Sequence, residues 1–297
     1  MIWQELSVKV PQEYVEPISY LFNRYGRGLS VEHAGDGLVL LRTYLPSTSK
    51  RRLARIEVGV NLVRTLQPMS ELEVKELKEA DWENAWKAHF SLLKIGTNLV
   101  IKPSWISYEA GRDEVVIELD PGMAFGTGYH PTTRMCLEAL EGLVRPGMKV
   151  LDLGTGSGIL AIAAARLGAE QVLALDVDPT AVKAARKNFT LCGLMSRASP
   201  ARAQPQRVRL ARGTLPHRLA LEGYFDLATA NITARVIQEK APHLWQALKP
   251  GGLLIASGII QKQQSEVEET LARVGFTHLK THNMEDWEAL LLSRGLP

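Results

Sequence analysis

Cysteine is almost missing: the 297 residues hold two, Cys136 and Cys192, and no CxxC pair. That excludes a disulfide framework and fits a reducing compartment, the cytoplasm. No apolar run approaches the ~18 residues of a membrane-spanning helix. The opening MIWQELSVKV has no basic stretch followed by an apolar one, so no signal peptide is expected. Charge of one sign is not in large excess, and a net +3 is too slight by itself to argue for nucleic acid. There is no G-x-S-x-G elbow and no paired catalytic Cys/His, which removes the usual hydrolase nucleophiles. The seven histidines are scattered. His278 and His282 fall in a predicted strand, where residues four apart do not converge as they do on a helix, so no metal site is expected.

What is present is a chain 45% hydrophobic and 23% charged, long enough for about two domains and a sizeable core. Residues 1–66 read as one small unit. Leu6, Val8 and Val10 alternate on one strand face. Tyr14, Ile18, Leu21 or Phe22, and Tyr25 follow at helical spacing despite Pro17. Leu29–His33 and Leu38–Tyr44 are β-type runs around Gly35-Asp36-Gly37, a hairpin turn. Leu53, Ile56, Val60, Val63 and Leu66 then mark an amphipathic helix. A strand near Glu71–Leu77 completes β-α-β-β-α-β, the α+β ferredoxin-like arrangement.

Residues 67–93 read as a linker with a helix. Trp82, Trp86 and Phe90 recur every fourth residue, a stripe for core packing or, less simply, for substrate contact. From 94 to 297 strand and helix alternate. Lys149–Leu153, Gln171–Asp176, Arg207–Leu210, Tyr224–Ala230 and Leu253–Ser257 are strands. Helices are expected over Ile159–Leu167, from Pro179, and over Ala234–Leu248. This alternation implies a parallel sheet covered on both faces. Phe276–Thr281 and Trp287–Ser293, close together in sequence, imply an antiparallel edge. Residues 196–206 (SRASPARAQPQ) lack apolar periodicity, and five arginines with no acid lie within 197–212; this reads as a solvated insertion or an anion-binding patch.

Three motifs carry chemistry. In Val150-Leu-Asp-Leu-Gly-Thr-Gly-Ser-Gly158, glycines 154, 156 and 158 follow a strand and open a helix, where a backbone without side chains turns tightly and approaches a ligand. Asp176 stands 22 residues after Gly154, at the end of the next strand, where a carboxylate accepts from both hydroxyls of a ribose. The nicotinamide fingerprint is G-x-G-x-x-G; here the spacing is G-x-G-x-G and Asp152 precedes it. An acid beside the loop repels a pyrophosphate and suits a cation. S-adenosylmethionine, with a sulfonium and an ammonium and no phosphate, fits better than a dinucleotide; a purely structural turn is the remaining alternative.

The second motif is Asp120-Pro-Gly-Met-Ala-Phe-Gly-Thr-Gly-Tyr-His-Pro-Thr-Thr133. Its glycine-rich part, with Phe125, Thr127 and Gly128, reads as a close-approach loop over a cofactor. Pro131 and the two threonines read as a helix start. His130 is either a base or, more simply, a residue that holds the loop; Thr133 offers a hydroxyl to the cofactor. In the third, Asp226-Leu-Ala-Thr-Ala-Asn-Ile-Thr-Ala234, an apolar strand ends at Asn231. Ligands of doubly wound sheets sit outside the carboxyl ends of strands, so Asn231 is placed to accept from a reacting amine, with a turn or cap role as the alternative.

Together these motifs, with DWENAWKAHF at 81–90, IKPSW at 101–105 and PGGLLIASGII at 250–260, resemble the ribosomal protein L11 methyltransferases nearly end to end. The resemblance implies a Rossmann-like class I methyltransferase domain, a mostly parallel seven-stranded sheet with an antiparallel edge, behind a small substrate-recognition domain. It implies S-adenosylmethionine as cofactor, contacted at Thr133, Gly154, Asp176 and Asn231, and ribosomal protein L11 as the protein partner. It also implies methylation of several lysines and of the N-terminal α-amine, up to three methyls each. Another protein or a small molecule as methyl acceptor is the alternative. The family's Asn-Ile-Leu-Ala is Asn231-Ile232-Thr233-Ala234 here, and the 196–206 insertion also departs from its pattern.

Overall fold

A computed structural model of the chain describes residues 2–35, 37–66, 69–78, 91–120, 128–195 and 207–295. The predicted linker helix with Trp82, Trp86 and Phe90 and the 196–206 insertion lie outside them. The chain divides into two compact units, Met1–Ser91 and Leu92–Pro297. Among the described residues no helix is long and apolar enough to cross a membrane.

The first unit contains β1 (Ile2–Pro11), α1 (Val15–Tyr25), β2 (Arg27–Gly35), β3 (Leu38–Pro46), α2 (Lys50–Arg64) and β4 (Glu73–Lys78). The sheet order is β2-β3-β1-β4, with every pair antiparallel, which is the ferredoxin-like order. The alternation of Leu6, Val8 and Val10 puts all three in the core, against Ile18 and Phe22 of α1 and Ile56 and Val60 of α2. β1 runs further at both ends than its apolar alternation, because β3 and β4 pair with it on both sides.

The second unit opens with β5 (Leu93–Ile95), β6 (Leu99–Pro103) and β7 (Val115–Leu119), a separate three-stranded sheet. The expected alternation of strand and helix therefore does not begin at 94. Gly96 turns β5 back on β6 at φ 59°, and Glu141 fastens the turn by accepting from the amides of Thr97 and Asn98 at 2.8 and 2.6 Å.

The main layer follows: α3 (Pro131–Leu143), β8 (Lys149–Leu153), α4 (Ile159–Arg166), β9 (Gln171–Asp176), α5 (Pro179–Leu191), β10 (Val208–Arg212), β11 (Phe225–Asn231), α6 (Ala234–Ala247), β12 (Leu248–Ile260), α7 (Gln264–Val274), β13 (Phe276–Met284) and β14 (Trp287–Arg294). The sheet order is β10-β9-β8-β11-β12-β14-β13. The first five strands are parallel, and β14 pairs antiparallel with β12 on one side and with the edge strand β13 on the other. This is the expected seven-stranded sheet, buried on both faces between two apolar clusters. The helix α7 was not anticipated, although Val267 and Leu271 bury one face at helical spacing.

Candidate active site

The strand order reverses at β8: the chain goes on to β9 on one side and, later, to β11 on the other. The crevice at that switch lies outside the carboxyl ends of these strands, and the three sequence motifs meet there.

β8 delivers the glycine turn. Gly154, Gly156 and Gly158 all take positive φ, 77°, 54° and 89°. A Cβ on Gly154 would stand 2.2 Å from Ile232 Cγ2, and one on Gly158 2.6 Å from Phe189 Cε1. The turn is close-packed beneath its glycines. Gly154 and Thr155 donate their amides to the Leu175 carbonyl at 2.8 and 3.0 Å, tying the turn to β9.

Asp176 ends β9 and clamps the same turn. One carboxylate oxygen accepts from the Gly156 amide at 2.9 Å. The other accepts from the Asp178 amide, also at 2.9 Å. Each oxygen has a second lone pair, so the carboxylate is oriented and still able to accept from a diol.

Asp152 does not face the crevice as the sequence suggested. It is 1% exposed, and its two oxygens accept from the hydroxyls of Thr155 at 2.6 Å and Thr229 at 2.7 Å. Burial raises its pKa against the pull of those hydroxyls. It braces the turn from below and does not meet a cation directly.

α3 supplies the other wall. His130 is its N-cap, with Nδ1 accepting from the Thr132 amide at 3.4 Å and lying 2.8 Å from the Thr132 hydroxyl. The ring lies edge-on to Trp287, with centroids 4.9 Å apart. Burial lowers its pKa to about 4, so it is neutral near pH 7 and holds the helix start, the simpler of its two readings. Thr133, buried in the first turn, accepts from Asn231 Nδ2 at 3.3 Å. That bond turns the amide so that Oδ1 points elsewhere, and this buried oxygen has no hydrogen-bond partner among the described residues. A buried acceptor left unpaired costs about 1–3 kcal/mol.

The structure thus brings Thr133 to Asn231 and Gly156 to Asp176, with the two pairs on either side of β8. Gly128 is buried at φ 92°, where a Cβ would meet Ile101 of β6 at 2.5 Å; Phe125 and Thr127 lie outside the described residues. Sequence reasoning missed Asn188. On α5 it donates Nδ2 to the Ser157 carbonyl at 2.8 Å and accepts from the Asp120 amide at 2.9 Å. Its signal was positional: with Ala181, Ala185 and Phe189 it lies on the buried face of the helix.

A parallel sheet of this strand order, reversing at a glycine turn and ending in an antiparallel pair, defines a class I methyltransferase. The family model for "Ribosomal protein L11 methyltransferase (PrmA)" matches residues 2–295, and the chain belongs to that family. It is 43% identical to the ribosomal protein L11 methyltransferase of Chloroflexus aurantiacus over 98% of each chain. Against that of Herpetosiphon aurantiacus the identity is 40%, over 97% of this chain and 98% of the relative. The crystal structure of ribosomal protein L11 methylase from Lactobacillus delbrueckii subsp. bulgaricus is 33% identical and superposes with a TM-score of 0.61. The match covers 69% of this chain and all of that one.

Proposed function

We propose that the chain transfers methyl groups from S-adenosylmethionine to amines of ribosomal protein L11, lysine side chains and the N-terminal α-amine, in the cytoplasm. The observation that carries this reading is the buried, unpaired Asn231 Oδ1 at the carboxyl end of β11. It needs a hydrogen donor, and an amine is one.

The glycine cradle and the pre-oriented Asp176 fit the rest of the cofactor. When bound, S-adenosylmethionine supplies an electrophilic methyl on a sulfonium. Asp176 accepts from the ribose hydroxyls through its free lone pairs. The side-chain-free backbone at Gly154, Gly156 and Gly158 lets the methionine end approach closely, Gly128 and Thr133 close the other side, and Phe125 and Thr127, outside the described residues, are assigned to cofactor contact from the sequence. Asn231 accepts an N–H of the incoming amine and so aims the nitrogen lone pair. No covalent enzyme intermediate is needed: positioning removes much of the barrier to an in-line displacement. The amine must arrive neutral. A lysine of pKa about 10.4 is mostly charged at pH 7, and apolar surroundings shift it toward the neutral form. The unit Met1–Ser91 is assigned to recognition of the protein substrate.

Intact-mass spectrometry of purified L11 incubated with the chain and S-adenosylmethionine tests the proposal. Mass gains in methyl steps are expected, with peptide mapping locating them on amines. No gain while the cofactor still binds would move the target to another molecule.

A further inference from the structure

Charge is segregated along the chain. It has 35 Lys and Arg against 32 Asp and Glu, so an acid comes about every nine residues. Between Pro179 and Leu221 there is none, while nine Lys and Arg fall there; the remaining residues hold 26 bases and 32 acids. A slightly basic protein is thus an acidic one with a strongly basic segment.

The fold gathers part of that segment at one edge of the second unit. α5 buries Ala181, Ala185, Asn188 and Phe189 and turns Lys183, Arg186 and Lys187 outward, where they line a surface cleft of about 580 Å³ with Thr190 and Leu191. Lys187 pairs with Asp120. Lys183 and Arg186 have no ion-pair partner among the described residues. β10 is the edge strand of the main sheet and exposes Arg209 and Arg212, with Arg207 exposed just before it; Arg207 and Arg209 line a second cleft, with Leu221 and Tyr224. Arg207 and Arg212 donate to the carbonyls of Ala165 and Val177; Arg209 has no acceptor among the described residues. Cations on an edge strand discourage strand pairing, which accounts for β10 and leaves α5 unexplained.

We infer that the outward face of α5 binds the phosphate backbone of RNA, with the β10 arginines, Arg209 on the opposite face of the sheet, as a lesser extension of the same basic edge. Phosphate contacts need well-spaced cations and little else. A protein partner is gripped by buried aromatic or apolar anchors, and among the described residues that line it the α5 cleft offers Leu191 alone. Clustered charge of one sign also speeds the encounter with a polyanion. The inference does not depend on the methyl-transfer reading, since none of these residues is placed in the cofactor site.

The test is fluorescence anisotropy of a labelled single-stranded RNA of mixed sequence, titrated with the full chain at several KCl concentrations. Binding that weakens steeply with salt is expected. Lys183→Glu/Arg186→Glu should weaken it at least about tenfold and flatten the log–log salt dependence by about 1.4, two phosphate contacts at roughly 0.7 each. Arg209→Glu, on the opposite face of the sheet, should weaken it less, and the thermal shift given by S-adenosylmethionine should persist in both variants. No binding by the wild-type chain, or binding unchanged in the variants, overturns the inference. Competition by polyglutamate as effective as by unlabelled RNA overturns it in favour of an acidic protein surface.

Discussion

Asn231 donates to Thr133 across the crevice, at 3.3 Å between residues 98 apart in sequence, and by doing so leaves its other amide atom buried and, among the described residues, unpaired. The bond fixes which way the amide points; on the proposed function, the unpaired oxygen is where the amine donates. A side chain acting only as a turn cap would have its oxygen on a backbone amide.

Asn231→Ala should therefore lower kcat on L11 by about 10²-fold, the usual cost of losing one positioned hydrogen-bonding group at a reacting centre. Cofactor affinity should fall far less. Steady-state kinetics at saturating cofactor, with calorimetry alongside, separates the two; full turnover in the variant would end the catalytic assignment.

For Asp176 the order of effects reverses. Asp176→Ala removes the clamp on Gly156 and, on the proposed function, the acceptor for the ribose, so the Kd for S-adenosylmethionine should rise roughly 10- to 100-fold, as expected for bonds to a charged group. Asp176→Asn keeps one acceptor and should lose less. Calorimetry showing wild-type affinity in the alanine variant would refute the assignment.

Stability rather than chemistry is at stake in Gly258→Ala. Gly258 takes φ 86°, and a Cβ there would stand 2.2 Å from the Ile232 carbonyl oxygen, a backbone atom that cannot swing aside. Strain of at least about 2 kcal/mol is expected, a fall in Tm of roughly 4–8 °C, read by calorimetric unfolding of the full chain. An unchanged Tm would show that Ile232 moves freely.

His130 gives a pH prediction. Its folded pKa of about 4 lies below the ~6.5 of an unfolded histidine. Between these values the unfolded chain binds more protons, so stability falls as pH drops from about 6.5 toward 4, by up to roughly 3 kcal/mol. Denaturant titrations at pH 7, 6 and 5 should show a steeper loss in the wild type than in His130→Asn. Parallel curves would mean that the imidazole is not buried neutral.

Much of this was legible in the sequence because it is local. The strand bounds Lys149–Leu153 and Gln171–Asp176 follow from short apolar runs between polar turns, and the glycine spacing places the cradle between them. Asn231 is legible as the polar end of an apolar strand. What escaped depends on distant partners. Asp152 reads as a ligand-facing acid until Thr229, 77 residues on, folds over it. Asn188 looks like a misplaced polar residue until Ser157 and Asp120 arrive. The 93–119 sheet joins strands too short to announce themselves, one pair of them parallel.

Asn188 has one last consequence. Its amide grips the glycine turn with one end and the Asp120 backbone with the other. If an arriving ligand displaces the turn, the side chain must pass the motion to Asp120 or break a buried bond. The Asp120 amide resonance is thus a built-in gauge of occupancy, legible by NMR without a label in the crevice itself.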